Sequence, residues 1–228
     1  AKVATRIMWQ GDLREALKFY DEFGVLVEEK GILKPRIKNH ICVKESVFPF
    51  NKLAGADLIL GPEMKSTGEV MGIGENFAKS FAKSQIGASN ALPSGGKVFL
   101  SLADHDKPRA VELARAFTDA GFSIAATSGT HKLLGENGVE CEFVYKISEG
   151  RPNIEDKLKN GEISLVINTS DSKSNSTDAA KIRQSVLRFR LPYFTTMKAA
   201  IAATRSICSI KDESALEVKT LQEYLSGR

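Results

Sequence analysis

Hydroxyl, amide and ammonium groups follow several short apolar runs in the second part of the sequence. Thr-Ser-Gly-Thr follows one run at residues 127–130, and Asn-Thr-Ser follows another at 168–170. Lys146 ends a third run, and Ser101 and Lys107 bracket the turn after a fourth. Hydroxyls, ammonium groups and free N–H groups at a helix start are suited to a phosphate. Taken alone, Thr-Ser-Gly-Thr is also typical of an ordinary helix cap. Four such elements meeting at one edge favour an anion site.

The apolar runs alternate with stretches in which apolar residues recur every three or four positions. Short apolar runs bounded by turn residues predict strands, here over residues 97–102, 123–127, 141–146, 165–169 and 193–196. The stretches between and after them predict helices over residues 107–120, 131–137, 153–160, 178–190 and 197–210. This alternation is typical of an α/β fold, an open parallel sheet flanked by helices. Ligands of such sheets bind at the carboxyl ends of the strands, where the polar groups lie.

The first part of the chain shows less regular patterning. A helix is predicted over residues 12–20, a strand over 46–50 and a second helix over 76–85. So little regular structure would make a poor independent domain. Small and turn-forming residues over 87–96 indicate a boundary. We therefore predict a first domain over 1–90, a linker over 91–96 and a second domain over 97–228, cut from a longer chain.

Composition excludes several classes of protein. The 32 basic and 28 acidic residues leave a net charge of +4 without a basic tail, which argues against nucleic-acid binding. The longest uncharged stretch, residues 84–96, is too short and too polar to span a bilayer. Three cysteines without histidines at ligand spacing indicate buried cytosolic thiols and no metal site. No Walker loop or catalytic triad is present.

Longer motifs resemble a known family. Val-Lys-Glu at 43–45, Pro-Phe-Asn-Lys at 49–52 and Leu-Gly-Pro-Glu-Met-Lys-Ser-Thr-Gly-Glu-Val-Met-Gly at 60–72 resemble the end of the carbamoyl-phosphate ATP-grasp domain in the large chain of carbamoyl-phosphate synthase. Ala-Thr-Ser-Gly-Thr at 126–130, Glu-Gly-Arg-Pro-Asn-Ile at 149–154 and Ile-Asn-Thr at 167–169 resemble its allosteric domain, which has the methylglyoxal-synthase-like fold. The resemblance implies an α+β fragment of an ATP-grasp domain followed by that allosteric domain.

The resemblance also implies a function. The parent enzyme, a cytoplasmic ligase, makes carbamoyl phosphate from bicarbonate, glutamine-derived ammonia and ATP for arginine and pyrimidine synthesis. It is expected to use ATP, magnesium or manganese, and potassium, to pair with a glutaminase small chain, and to form oligomers. The ATP-grasp residues that bind ATP and metal lie upstream in the family. This chain is therefore expected to hold no catalytic residue, cofactor or metal, to be inactive alone, and to sense metabolites.

Two effector sites carry over from the family. The resemblance implies that the phosphate of UMP or IMP binds to a set of hydroxyl, amide and ammonium side chains. These are Ser101, Lys107, Thr127, Ser128, Thr130, Lys146, Asn168, Thr169 and Ser170. The ornithine site carries over onto Glu45 and Thr195. Where the bacterial pattern has an aspartate before that threonine, this chain has Phe194, which cannot pair with an ammonium group.

Two other functions remain open from the sequence. The same fold supports a lyase that converts dihydroxyacetone phosphate to methylglyoxal, which needs a carboxylate base. Asp171 is the only nearby candidate, in a loop that lacks the glycine-flanked aspartate of those enzymes. Alternatively, the second domain is a structural oligomerisation surface, with a modest apolar stripe over residues 214–225.

Overall fold

The computed structural model describes residues 2–21, 26–35, 40–49, 66–170, 177–210 and 216–226. Contacts divide the chain into two compact units, one formed by residues 1–40 with 219–228 and the other by residues 41–218. The linker predicted at 91–96 lies inside the larger unit. A compact unit can contain parts of more than one domain, so the domain boundaries stay a prediction.

The smaller unit combines short helices with one hairpin. Its elements are α1 Lys2–Gln10, α2 Leu13–Asp21, β1 Leu26–Glu29, β2 Ile32–Pro35 and α9 Leu221–Ser226. Asp12 caps α2 by accepting a hydrogen bond from the backbone N–H of Glu15, which confirms the helix predicted at 12–20. Lys30 and Gly31 both have positive φ, as a two-residue hairpin turn requires.

Five parallel strands form the centre of the larger unit, as predicted. They are β5 Gly96–Ser101, β6 Phe122–Ala126, β7 Glu142–Phe143, β8 Leu165–Asn168 and β9 Tyr193–Phe194, in the order β7-β6-β5-β8-β9. The edge strands β7 and β9 are shorter than the apolar runs at 141–146 and 193–196 predict. An edge strand has a neighbour on one side only, so pairing ends where the chain turns away from that neighbour.

Helices cover both faces of this sheet. A 3₁₀ helix at Asp104–Arg109 precedes α4 Ala110–Asp119, and the others are α5 Ser128–Glu136, α6 Ile154–Lys159, α7 Thr177–Phe189 and α8 Met197–Ser209. Successive side chains of a strand point to opposite faces. Accordingly Val98 and Leu100 join the core with α4 and α8, whereas Phe99 joins the core with α6 and α7.

Two helix starts differ from the sequence prediction. The helix expected from Lys107 begins as a 3₁₀ turn with Pro108 inside it, because proline lacks the N–H that an α-helix would use. The helix expected from His131 starts three residues earlier, at Ser128, because Thr127 is extended and serves as its N-cap. The earlier start places the Thr-Ser-Gly-Thr motif at a helix N-terminus.

An antiparallel pair and a helix complete the larger unit. Strand β3 Ile41–Val47 pairs with β4 Gly68–Gly74, and α3 Phe77–Gly87 packs on both. The prediction of a strand over 46–50 is confirmed at residues 46–47 and wrong at 48–49, because β3 pairs with β4 over residues 41–47; residue 50 lies outside the described part. A Cβ at Gly72 would lie 1.9 Å from the carbonyl oxygen of Ser80, so α3 approaches the sheet backbone closely. The assignment of this part to an ATP-grasp domain stays a prediction.

The described residues contain neither a membrane-spanning helix nor a metal-binding cluster. The longest described helices have 13 residues, and none is long and apolar enough to cross a membrane. Within the same residues, no three His, Cys, Asp or Glu side chains cluster closely enough to hold a metal ion. The prediction of buried thiols is wrong for Cys42 and Cys208, which are exposed, and Cys141 is only half-buried.

Candidate functional site

The turn after β5 joins three strand ends of the parallel sheet. The backbone N–H of Leu102 donates to Thr130 Oγ1 at 3.2 Å. The next N–H, of Ala103, donates to Thr169 Oγ1 at 3.0 Å. Thr130 lies in the first turn of α5, which follows β6, and Thr169 directly follows β8, so the segments after the three central strands meet at this turn.

The N-terminus of α5 lies at the same turn after β5. Its N-cap Thr127 makes no side-chain capping hydrogen bond; instead its Oγ1 lies 3.4 Å from Ser101 Oγ. The first N–H groups of a helix have no acceptor within the helix. The backbone N–H groups of Ser128 and Gly129 are therefore available to an anion, and the helix dipole favours negative charge there.

Lys107 supplies a positive charge beside this helix start. A Cβ on Gly129 would lie 3.1 Å from Lys107 Nζ, so the ammonium group stands directly against the first turn of α5. The same Nζ lies 2.5 Å from Asp104 Oδ1. This hydrogen bond lowers the pKa of the Asp104 carboxyl. The Asp104 side chain is 88% exposed, so water can solvate it if an anion displaces it from the lysine.

Asn168 contributes a buried donor without an acceptor. The residue ends β8, opposite Ser101 in the strand register, and is only 4% exposed. Its Nδ2 has no hydrogen-bond partner in the described part of the protein. A buried donor left unpaired costs about 1–3 kcal/mol. An acceptor atom bound at this edge would remove that cost.

Lys146 and Ser170 are placed less centrally. Lys146 lies three residues beyond β7, and its Nζ is 3.9 Å from Glu149 Oε1. Its backbone N–H donates to the other carboxylate oxygen of Glu149 at 2.9 Å. Ser170 is half-buried at the end of a described range. The structure thus brings Ser101, Lys107 and the threonine hydroxyls around one turn, and it pairs Lys146 with Glu149.

Asp178 is a polar group near this edge that the sequence did not single out. Ser148 Oγ forms a short hydrogen bond with Asp178 Oδ2. The second carboxylate oxygen, Oδ1, is buried and has no partner within the described residues. The sequence pattern places Asp178 in the first turn of a predicted helix, where acidic residues are common, so the pattern does not mark it as a site residue. The alternative base, Asp171, lies outside the described residues.

A separate cavity of about 620 Å³ lies in the larger unit. Glu45, Phe194 and Thr195 all line it, so the two residues of the expected ornithine site share one cavity. Gln85 Nε2 donates to Glu45 Oε2 at 3.0 Å. Burial raises the pKa of the Glu45 carboxyl, and the bond from Gln85 offsets part of that rise. Gln85 was not found from the sequence, because a glutamine inside a helix has no distinguishing pattern.

Comparison with known proteins identifies the relatives of this chain. The MGS-like domain family matches residues 109–195, which contain α4, β6, α5, β7, α6, β8, α7 and β9. The carbamoyl phosphate synthase large chain of Campylobacter jejuni is 58% identical over 227 residues, covering 100% of this chain and 21% of the relative. The chain is related over its full length to the C-terminal region of carbamoyl phosphate synthase large chains. That confirms the resemblance expected from its motifs.

Another carbamoyl phosphate synthase large chain, from Helicobacter pylori, is 49% identical over 225 residues, covering 99% of this chain and 20% of the relative. The chain therefore spans about a fifth of the length of these relatives. Among solved structures, methylglyoxal synthase from Elizabethkingia anophelis matches 59% of this chain and 92% of its own, with 21% identity and a TM-score of 0.42.

Proposed function

We propose that this chain is the regulatory region of a carbamoyl phosphate synthase large chain and binds a nucleoside monophosphate, UMP or IMP, at the carboxyl edge of its parallel sheet. The whole enzyme would make carbamoyl phosphate from bicarbonate, glutamine-derived ammonia and ATP in the cytoplasm, for arginine and pyrimidine synthesis. Its ATP, divalent metal and potassium would bind in the rest of the large chain, and the glutaminase small chain would complete an oligomeric enzyme. This region alone would be inactive and would only bind the effector.

The observation that carries this proposal is the uncapped start of α5 beside Lys107. A phosphate placed there would accept from the N–H groups of Ser128 and Gly129 and from the ammonium group. Hydrogen bonds to charged groups contribute about 1.5–3 kcal/mol each, and the helix dipole adds about 0.3–1 kcal/mol. A dianion gains more from this arrangement than a neutral ligand, so the phosphate group would dominate binding.

The surrounding hydroxyls can add donors without giving up their present bonds. Thr130 and Thr169 use their oxygens to accept from backbone N–H groups. A hydroxyl that accepts still carries its own proton. Both protons can therefore be donated to phosphate oxygens, and Asn168 Nδ2, which has no partner among the described residues, supplies a further donor. Lys146 and Ser170 would contact the effector from the rim of the site.

Binding of the effector at the turn after β5 would also provide a way to regulate the synthetase. The turn is held by the hydroxyls of Thr130 on α5 and Thr169 after β8, so a ligand bound there would contact segments that follow three strands of the sheet. Allosteric coupling is reciprocal: a nucleotide that changes the affinity of the synthetase for a substrate must itself bind with altered affinity when that substrate is present.

Titration calorimetry of the chain with UMP, IMP, inorganic phosphate and the nucleoside uridine tests the proposal. We expect UMP or IMP to bind and uridine to bind at least about 10-fold more weakly, since one lost charged contact corresponds to about 1.5 kcal/mol or more. Lys107→Met should weaken nucleotide binding by a similar factor. Lys132→Met is the matched control, because Lys132 lies on the same α5 helix with its side chain 79% exposed.

Two results would contradict the proposal. Uridine binding as tightly as UMP would show that no phosphate site exists, and unchanged binding by the Lys107 variant would remove the site from this helix start. Assay of the same protein for methylglyoxal formation from dihydroxyacetone phosphate distinguishes the lyase, which we expect to be absent.

A further inference from the structure

The lysine beside the start of α5 already has an acidic partner in the free protein. Asp104 is the first residue of the 3₁₀ helix and Lys107 follows three positions later, and side chains at this spacing in a 3₁₀ helix lie one above the other. Lys107 Nζ is 2.5 Å from Asp104 Oδ1, so the two groups form an ion pair. The ammonium group therefore lies against both this carboxylate and Gly129.

The backbone next to Asp104 is held by the turn that forms the candidate phosphate site. Ala103, the preceding residue, donates its N–H to Thr169 Oγ1 and accepts at its carbonyl oxygen from the N–H of Asp106, each at 3.0 Å. The Asp106 carboxylate has its Oδ2 3.3 Å from His105 Nε2. These contacts assign the two carboxylates of the turn to different partners, and Asp104 is the one that contacts the lysine.

The two members of this ion pair differ in their exposure to water. The side chain of Asp104 is 88% exposed, whereas that of Lys107 is 29% exposed. Exposed ion pairs are weak, and breaking one changes an equilibrium by about 1.5- to 5-fold. Asp104 can therefore leave the pair at small cost, because water solvates its carboxylate, while the lysine stays beside the helix start.

A carboxylate that stayed in this position would repel a bound phosphate. Two like unit charges about 4 Å apart in water weaken an association by about 5-fold, so one carboxylate beside a phosphate dianion weakens it by about 30-fold. This penalty exceeds the largest cost of breaking the ion pair, about 5-fold. Displacement of Asp104 is therefore the favoured outcome when a phosphate binds.

We propose that Asp104 is an internal competitor for Lys107: its carboxylate contacts the ammonium group in the free protein, and the phosphate of the nucleotide replaces it. The inference rests on the proposed function and adds a regulatory contact to the same site. Because the ion pair must break before the phosphate reaches the lysine, Asp104 lowers the affinity for the effector. The region then responds at a higher effector concentration than the same site without Asp104.

Calorimetric titration of the full chain and its Asp104→Asn and Asp104→Ala variants with UMP and IMP tests this inference. Each variant removes the competitor, so we expect the nucleotide Kd to fall by about 2- to 5-fold. The alanine variant has no polar side-chain atom, so a gain in this variant cannot come from a new contact of an asparagine amide with the phosphate.

Asp119→Asn is the matched control for loss of a negative charge. Asp119 is an exposed residue at the last position of α4, the helix that follows the 3₁₀ turn. This ten-residue helix is about 15 Å long, which exceeds the Debye length of about 10 Å at 0.1 M salt. The control variant should therefore keep the parent Kd at this salt concentration.

A double variant tests whether Asp104 acts through Lys107. Adding Asp104→Asn to Lys107→Met should change the Kd by less than about 2-fold, because no ammonium group remains for the carboxylate to contact. An equal gain with and without the lysine would show that Asp104 acts only through its negative charge, and it would overturn the inference.

Unchanged or weaker nucleotide binding by the Asp104 variants would also overturn the inference. Weaker binding would mean that Asp104 positions the lysine for the phosphate instead of competing with it. The parent chain separates this inference from the proposed function. Nucleotide binding by the parent without a gain in the variants would refute the competition alone, whereas no binding by the parent or by any variant would refute the nucleotide site as well.

Discussion

Replacing Gly129 with alanine separates the stability of α5 from its capacity to bind a phosphate. The added Cβ would lie 3.1 Å from Lys107 Nζ and 3.7 Å from Lys107 Cε. The first distance is a few tenths of an ångström shorter than a normal contact. The φ of Gly129 is not in the positive region, so the alanine backbone is unstrained, and the long lysine side chain can retreat.

The substitution should therefore have opposite effects on folding and binding. Alanine favours a helix over glycine by up to about 1 kcal/mol, so the free protein should be as stable as the parent or slightly more stable. Displacing the ammonium group and filling the space over the first N–H groups should cost up to one charged contact, about 1.5–3 kcal/mol. That corresponds to a nucleotide Kd raised about 10- to 100-fold.

Gly135→Ala provides the control within the same helix. A Cβ on Gly135 meets nothing within 4 Å, so this variant should gain helix stability and keep the parent affinity. Urea denaturation measures the first quantity and calorimetry with UMP or IMP the second. Equal nucleotide affinity for the Gly129 and Gly135 variants would refute the placement of the phosphate over the start of α5.

Two further predictions concern stability. Glu142 accepts hydrogen bonds from Lys157 and Lys97, each at 2.5 Å, and these bonds lower the pKa of its carboxyl below the ordinary 4.5. Because the folded-state pKa is the lower one, this stabilisation is present above the unfolded-state pKa and is lost as the pH falls through the folded-state value. Thermal melts between pH 7 and pH 3 should show Glu142→Gln losing less stability on acidification than the parent, and identical slopes would contradict this. Asn153 caps α6 in a reciprocal pair with Asp156, so Asn153→Ala should lower the free energy of unfolding by about 1–2 kcal/mol in urea; a loss below about 0.3 kcal/mol would show that the cap contributes little.

The central sheet was predictable because its strands are buried on both faces. Residues of β5, β6 and β8 therefore read as continuous apolar runs, and the structure places strands there within about one residue of the prediction. The strand at 41–47 was not predicted at its true position. Its polar residues Lys44, Glu45 and Ser46 are consecutive and interrupt the apolar run, and its pairing with β4 depends on residues more than twenty positions away.

The sequence alone determined the α/β class, the family resemblance and the set of polar groups after the strands, because all three depend on residue order and local spacing. The tertiary structure alone decided which of these groups meet. It placed Lys107 against Gly129, left Asn168 Nδ2 without a partner among the described residues, and put Glu45 and Arg190 in one cavity with Phe194. Those contacts join residues far apart in the chain, and their distances follow from how helices and strands pack, which local patterns do not encode.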